Sequence, residues 1–220
     1  MYIPTNHATI NTLDETESGF LTIANAAILG GISNTFDMFL GSYVMLERQN
    51  LEDMLLRLSQ EEDTTSEGVG MGGTGTGSTF GNIYGSSTSM FVFIKNSIKR
   101  CTALTNGQTF LSLSKEFKTC MLQYVELLMK RIPPGVTNHS TKLITYAIPP
   151  NGELNMCYLI NTGEYCAEVV PQLESMIQTK MVPSLSNKVS FETEVDAFMD
   201  LVAHCIKVSL RIYRGSCRLS

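Results

Sequence analysis

Charge is scarce in this sequence. Of 220 residues, 17% are Asp, Glu, Lys or Arg and 43% are hydrophobic, whereas soluble domains usually carry about a quarter charged. So little charge implies that some surface is normally covered, and an exposed apolar helix face is the form this would take. There are only three histidines, and none of the six cysteines stands in C-x-x-C spacing. Zinc and thioredoxin-like readings therefore fail on spacing. Five cysteines fall inside helical patterns, where a reduced thiol behaves as a small apolar residue, so a cytosolic compartment is expected. Long apolar runs are also missing. The most apolar early segment, Phe20 to Ile32, contains Asn25 and is too short to span a bilayer, which takes about 20 residues. No basic n-region opens the chain, and Pro4 with polar residues precedes any apolar run, so no signal peptide is expected. Residues 1–89 hold two arginines against eleven acids, a net of −9, and residues 90–220 have a net of +4. Neither half is basic enough for nucleic acid. The asymmetry favours contact between the halves, or of the second half with an anionic surface.

What is present is helical periodicity. Residues 1–13 read as a lead-in, and Asp14, Glu15 and Glu17 as a helix start. A pattern then runs to about Leu58 through Ile28, Ile32, Phe36, Phe39/Leu40, Tyr43, Met45/Leu46, Leu51, Met54, Leu55 and Leu58. Gly30-Gly31 divides it, and Glu47-Arg48-Gln49-Asn50 read as a wet face. Residues 59–89 hold eight of the seventeen glycines among Ser and Thr, a composition that predicts a disordered loop. Met90–Leu104, with Phe91, Ile94, Ile98 and Cys101 inward, and Gln108–Arg131, with Phe110, Leu113, Phe117, Met121, Tyr124 and Leu128 inward, predict an α-α hairpin turning at Asn106-Gly107. Pro133-Pro134-Gly135 stops it. Lys142–Ile148 could be a strand by composition, but with no partner in view it reads as an extended segment on the helices.

The longest pattern runs from Leu154 to Lys180. Leu154, Tyr158, Tyr165, Val169, Leu173 and Met176 mark its apolar stripe, and Pro171 is expected to kink it near Ala167. Pro183 ends it. Ser190 caps a last helix with Glu192 and Glu194 in its first turn and Phe191, Val195, Phe198, Val202, Cys205, Ser209 and Ile212 inward. The prediction is one all-α bundle of antiparallel helices, with N-terminal helices in 1–58, the loop at 59–89, a helical bundle in 90–214 and a tail at 215–220.

Candidate chemistry weighs little against plainer readings. Gly70 to Gly75 matches G-x-G-x-x-G, but SQEEDTTSE before it is no strand, and a glycine-rich linker produces such matches by composition. His204 and Cys205 are adjacent on one helix, so they point about 100° apart. Glu164 with Glu168, and Glu192 with Asp196, pair carboxylates at four-residue spacing without any sign of a cleft. Lys207, Arg211 and Arg214 form a basic stripe opposite Phe198, suited to anionic lipid or an acidic partner, though solvated charge is the plainer reading. Asn161, Thr162 and Glu164, beside Gly163, put small and polar residues mid-helix, as a close helix approach or a partner contact would, the plainer reading being a tight packing point with side chains bonding locally. No cofactor or metal is expected.

Leu159-Ile160-Asn161-Thr162-Gly163-Glu164-Tyr165-Cys166 with Gln172-Leu173-Glu174 resembles a Thr-Ala-Glu-Tyr-Cys … Gln-Leu-Glu helix of the vacuolar protein sorting fifty-three family, subunits of the Golgi-associated retrograde protein (GARP) tethering complex. Ser33-Asn34-Thr35-Phe36 with Glu47-Arg48-Gln49-Asn50-Leu51 is similar to the helix before that family's variable loop. Met90 to Lys95 with Lys99-Arg100-Cys101 is similar to the helix after it. The resemblance covers about residues 30–210 and implies an internal piece of a much longer protein. Gly163 stands where the family has alanine, Pro171 is an addition, and residues 214–220 depart from the pattern. The resemblance implies stacked helical bundles of the multisubunit-tethering-complex rod type and no enzymatic activity. It also implies sister subunits, SNAREs and small GTPases as partners, and a cytoplasmic, peripheral place on trans-Golgi network and endosomal membranes. Asn161, Thr162, Glu164, Tyr165, Cys166, Gln172 and Leu173 would be its signature, mainly structural. The rival is a helical scaffold or peripheral membrane module using the basic last helix.

Overall fold

The computed structural model of the chain describes residues 39–65, 82–137, 144–146 and 152–216. Its helices are α1 (Gly41–Thr65), α2 (Gly85–Thr102), α3 (Gln108–Met129), α4 (Gly152–Lys180), the one-turn α5 (Pro183–Ser186) and α6 (Glu192–Ser216). Three-residue strands β1 (Gly135–Thr137) and β2 (Ile144–Tyr146) lie between α3 and α4. The body is all-α, as the periodicity implies.

Paired side chains fix the helix directions. Glu47 of α1 meets Ser97 and Arg100 near the end of α2, and Leu58 and Ser59 line a small cavity with Ser86 at its start, so α1 and α2 are antiparallel. The same cavity takes Tyr124 near the end of α3 and Arg131 just beyond it, while Arg48 meets Glu116, so α1 and α3 are parallel. Tyr84 meets Tyr158 and Phe91 meets Tyr165, setting α4 parallel to α2. Glu174 meets Phe191, and Gly163, earlier in α4, meets Phe198 and Val202, later in α6. These two helices are antiparallel and form the most extensive pair.

Five phenylalanines, Phe91, Phe110, Phe117, Phe191 and Phe198, are the largest fully buried side chains. The inward residues expected of α2 and α3 are all buried. In α6 the expected Phe191, Phe198, Val202, Cys205 and Ile212 are buried, and Leu201 and Val208 join them. Ser190 Oγ accepts from the Glu192 amide at 3.4 Å, close to its expected capping role.

Four expectations are corrected. The core stripe of α4 is Met156, Leu159, Gly163, Cys166, Val170, Leu173 and Ile177, at alternating three- and four-residue spacing, and only Leu173 was expected there. Tyr158, Tyr165, Val169 and Met176 are half-buried on its flank, and Leu154 is exposed. Size misleads here, because α6 approaches so closely that the seam takes glycine and cysteine. In α1, Met45 and Leu46 are exposed while Glu47, expected on a wet face, is 2% exposed.

The other two corrections concern boundaries. The supposedly unpartnered Lys142–Ile148 segment contains β2, which pairs antiparallel with β1 in the register Gly135↔Tyr146, Val136↔Thr145, Thr137↔Ile144. Its partner is only three residues long and follows two prolines, so periodicity could not show it. Helix also extends into the expected loop, α1 running to Thr65 and α2 starting at Gly85. The serines that read as linker are consumed by packing: Ser86 Oγ lies 2.6 Å from Tyr124 Oη, and Ser87 Oγ donates to the Tyr84 carbonyl at 2.7 Å. Gly70–Gly75, the rest of the predicted disorder, the N-terminal patterns before residue 39, His7 and His139 lie outside the described residues. Helix α4 runs through the exposed Pro171 without interruption.

Candidate functional site

The signature stretch of α4 is a set of anchors for its neighbours. Tyr84, the residue before α2, has no side-chain cap of its own, and its amide donates to Thr162 Oγ1 at 2.9 Å. Thr162 is fully buried, so this bond meets an amide that would otherwise be costly to bury. One residue earlier, Asn161 Nδ2 donates to the Asn82 carbonyl at 3.2 Å. Asn82 has φ 58°, a left-handed conformation that asparagine tolerates better than most side chains. Together the pair pins the segment that leads into α2. Tyr165 then sets its ring edge-on to Phe91, centroids 6.1 Å apart, a favoured aromatic geometry.

The rest of the stretch holds α6. A Cβ placed on Gly163 would come within 2.6 Å of Val202 Cγ2 and 3.4 Å of the Phe198 carbonyl oxygen. The glycine is therefore what permits the close approach. Glu174, after Leu173 in the core, accepts from the Phe191 amide through Oε2 at 2.7 Å and from Gln178 Nε2 through Oε1 at 3.0 Å. Gln178 Nε2 also donates to the Val189 carbonyl at 2.9 Å. A carboxylate at the start of a helix also meets the positive end of its dipole. Gln172 only bonds back to the Glu168 carbonyl, and Glu164 and Glu168 face solvent. The close approach of α4 and α6 is made at Gly163, while Asn161, Thr162 and Tyr165 hold the segment before α2 and its first turns.

The other candidates separate. His204 is exposed and Cys205 buried, so no pair forms. Burial pushes the Cys120 thiol up to about 12 and Cys205 up to about 11, and raises Cys166 as well. These are packing thiols, since the thiolate is the reactive form. Cys157 is exposed. Lys207 and Arg211 are exposed on α6, and Arg211 Nη1 donates to Tyr146 Oη at 3.3 Å, tying β2 to the helix. Arg214 lies in the last turns of α6 and its side chain is outside the described set. Asp196 and Asp200 are also exposed on α6, so its polar flank is acidic first and basic later. Among the described residues no group of His, Cys, Asp and Glu could hold a metal ion, and no helix is long and apolar enough to cross a membrane.

Two buried carboxylates escaped the sequence reading. Glu47 accepts from Arg100 Nε at 2.7 Å, Arg100 Nη2 at 2.8 Å and Ser97 Oγ at 2.8 Å. Burial pushes its carboxyl up, but the bonds to Arg100 and Ser97 and the charge of Arg100 outweigh this, and the net shift is downward. Tyr43 Oη is buried nearby, and burial followed by the Glu47 charge raises its pKa. Glu194, 1% exposed, lies 3.5 Å from Lys118 Nζ, which also donates to the Ser190 carbonyl at 2.8 Å. The available signal was phase. Glu47 continues the row of Leu51 and Leu55, and Glu194 the row of Phe191 and Phe198, so each charge sits where an apolar residue belongs.

Fold and anchors together define a helical-bundle protein whose most distinctive residues hold helices against one another. The chain is 28% identical over 185 residues to vacuolar protein sorting-associated protein 53 A of Arabidopsis thaliana, an alignment covering 80% of this chain and 21% of that protein. This similarity agrees with the resemblance of the signature helix, and the chain spans about a fifth of that relative's length. No protein-family model matches it, and no solved structure does.

Proposed function

We propose that the chain is part of a vesicle-tethering subunit that works by binding, in endosome-to-Golgi retrograde transport, within the Golgi-associated retrograde protein complex. The observation that carries this reading is the similarity to vacuolar protein sorting-associated protein 53 A across four fifths of the chain. The bundle supports it, because a tether transmits position between partners and needs rigid, well-anchored helices. Its direct partners are the sister subunits of the complex. SNAREs and small GTPases are its contacts on the membrane side, and its place is the cytoplasmic face of trans-Golgi network and endosomal membranes, held peripherally. The rival reading, a scaffold or membrane module that lays Lys207, Arg211 and Arg214 on anionic lipid, is weakened by Asp196 and Asp200 on the same flank. Depleting the full-length protein tests the proposal. Recycling receptors should then fail to return from endosomes to the trans-Golgi network, and re-expression should restore them. Undisturbed receptor return after complete depletion would sink it.

A further inference from the structure

Helix α6 is apolar on two faces. One carries Phe191, Phe198, Leu201, Cys205, Val208 and Ile212 into the core. The second carries Met199, Ile206, Leu210 and Tyr213, each between 43% and 55% exposed, with the half-buried Ala203 between them. Their spacing is four, three, four and three, a period of 3.5. At about 100° per residue these five stay within about 80° of one another, which forms a narrow seam. A seam of that period is complementary to another helix at a shallow crossing angle.

The charges beside the seam say which helix. Asp196 and Asp200, four residues apart, and then Lys207 and Arg211, four apart, are all exposed on one flank. Like charges at this spacing repel within a single helix. The helix dipole does not account for them, because its influence fades beyond the terminal turn and Asp200 and Lys207 sit mid-helix. Among the described residues the ion pairs lie elsewhere, at Arg48, Arg100 and Lys118.

We propose that the outer face of α6 is a self-association surface, occupied by the same face of a second copy of this chain running antiparallel. One register serves both the seam and the charges. With Ala203 opposite Ile206 of the second copy, Met199 falls opposite Leu210, while beside the seam Asp200 lies two residues, about 3 Å, from the level of Lys207 and Asp196 the same from that of Arg211, within reach of the long basic side chains. The two-fold axis repeats each of these, as an isologous interface requires. Each like-charge pair then meets two opposite charges. The seam, roughly 21 Å long at 1.5 Å per residue, falls short of the roughly 800 Å² per partner of a standard stable interface. The dimer is therefore weak and concentration-dependent. This goes beyond the tethering proposal and does not rest on it.

Sedimentation of the purified chain over about a hundred-fold concentration range tests it. A monomer–dimer equilibrium is expected. Ile206→Glu should abolish it with the helical circular dichroism unchanged, since Ile206 is already 43% exposed. Asp200→Lys alone and Lys207→Asp alone should each weaken the dimer about ten-fold, because each places like charges near one another twice. The double variant Asp200→Lys/Lys207→Asp should restore it, which only a homotypic antiparallel pairing allows. A chain that stays monomeric throughout, a dimer indifferent to Ile206→Glu, or a double variant as weak as the singles would each overturn the proposal.

Discussion

Gly163 lies at a close approach of α4 and α6, and replacing it with alanine sets two effects against each other. Alanine is favoured over glycine in a helix interior by about 1 kcal/mol. The new methyl, however, would lie 2.6 Å from Val202 Cγ2 and 3.7 Å from Leu201 Cδ2. A β-branched side chain on a helix has one strongly preferred rotamer, so Val202 cannot swing clear and the helices must part. Overpacking of this kind costs about 1–3 kcal/mol, so the single change should be neutral to destabilising by up to about 2 kcal/mol. Val202→Ala alone removes two buried methyl carbons and leaves a gap, costing about 1–3 kcal/mol as core truncations do. In the double variant the new methyl enters that gap. A double-mutant cycle from urea unfolding should therefore give a favourable coupling of about 1 kcal/mol or more, as contacting residues typically show. If Gly163→Ala stabilises by its full propensity gain, and the two changes are additive, the close approach does not exist as described.

Three further outcomes follow from the same geometry. Glu47→Gln should destabilise by about 1–3 kcal/mol. Because the folded Glu47 pKa lies below its ordinary 4.5, the gap between wild type and variant should be full above about pH 5 and shrink as acid protonates the folded carboxylate. A gap that grows on acidification in urea titrations would contradict this. Thr162→Val should cost about 1 kcal/mol by removing the acceptor of the Tyr84 amide, and hydrogen exchange should quicken at the start of α2 while Thr162→Ser preserves protection. Equal protection in both variants would refute the anchoring role. Mild thiol labelling followed by peptide mass spectrometry should mark Cys157 and leave Cys101, Cys120, Cys166 and Cys205 untouched until denaturant is added; rapid labelling of Cys166 would contradict its burial.

Large, regularly spaced side chains made most of the fold legible. Phe110, Leu113, Phe117, Met121, Tyr124 and Leu128 gave α3 its inward face directly, because apolar residues recurring near every 3.6 positions fall on one side of a helix. The seam of α4 stayed hidden for the same reason, since Gly163 and Cys166 carry little hydrophobic weight and are in the core because they are small. Ser86 and Ser87 read as linker because composition does not show that Tyr124 stands ready to receive a hydroxyl. Glu47 and Glu194 were legible only by phase, a charge standing in an apolar row. The scarcity of charge did foretell an exposed apolar helix face, and α6 carries one. What occupies it depends on the pattern of Asp196, Asp200, Lys207 and Arg211 seen against the packed side of the helix, and that side is fixed by tertiary structure.

The proposed function makes this chain part of a tethering subunit that acts by assembly with others. The most direct measurement is affinity purification of the full-length protein, tagged at its own locus, with quantitative mass spectrometry of what accompanies it. The sister subunits of the Golgi-associated retrograde protein complex should appear in near-stoichiometric amounts, and be lost when the α4 anchors are broken by Gly163→Leu with Thr162→Val. A full-length protein that purifies without those subunits, while they assemble intact in its absence, would contradict it.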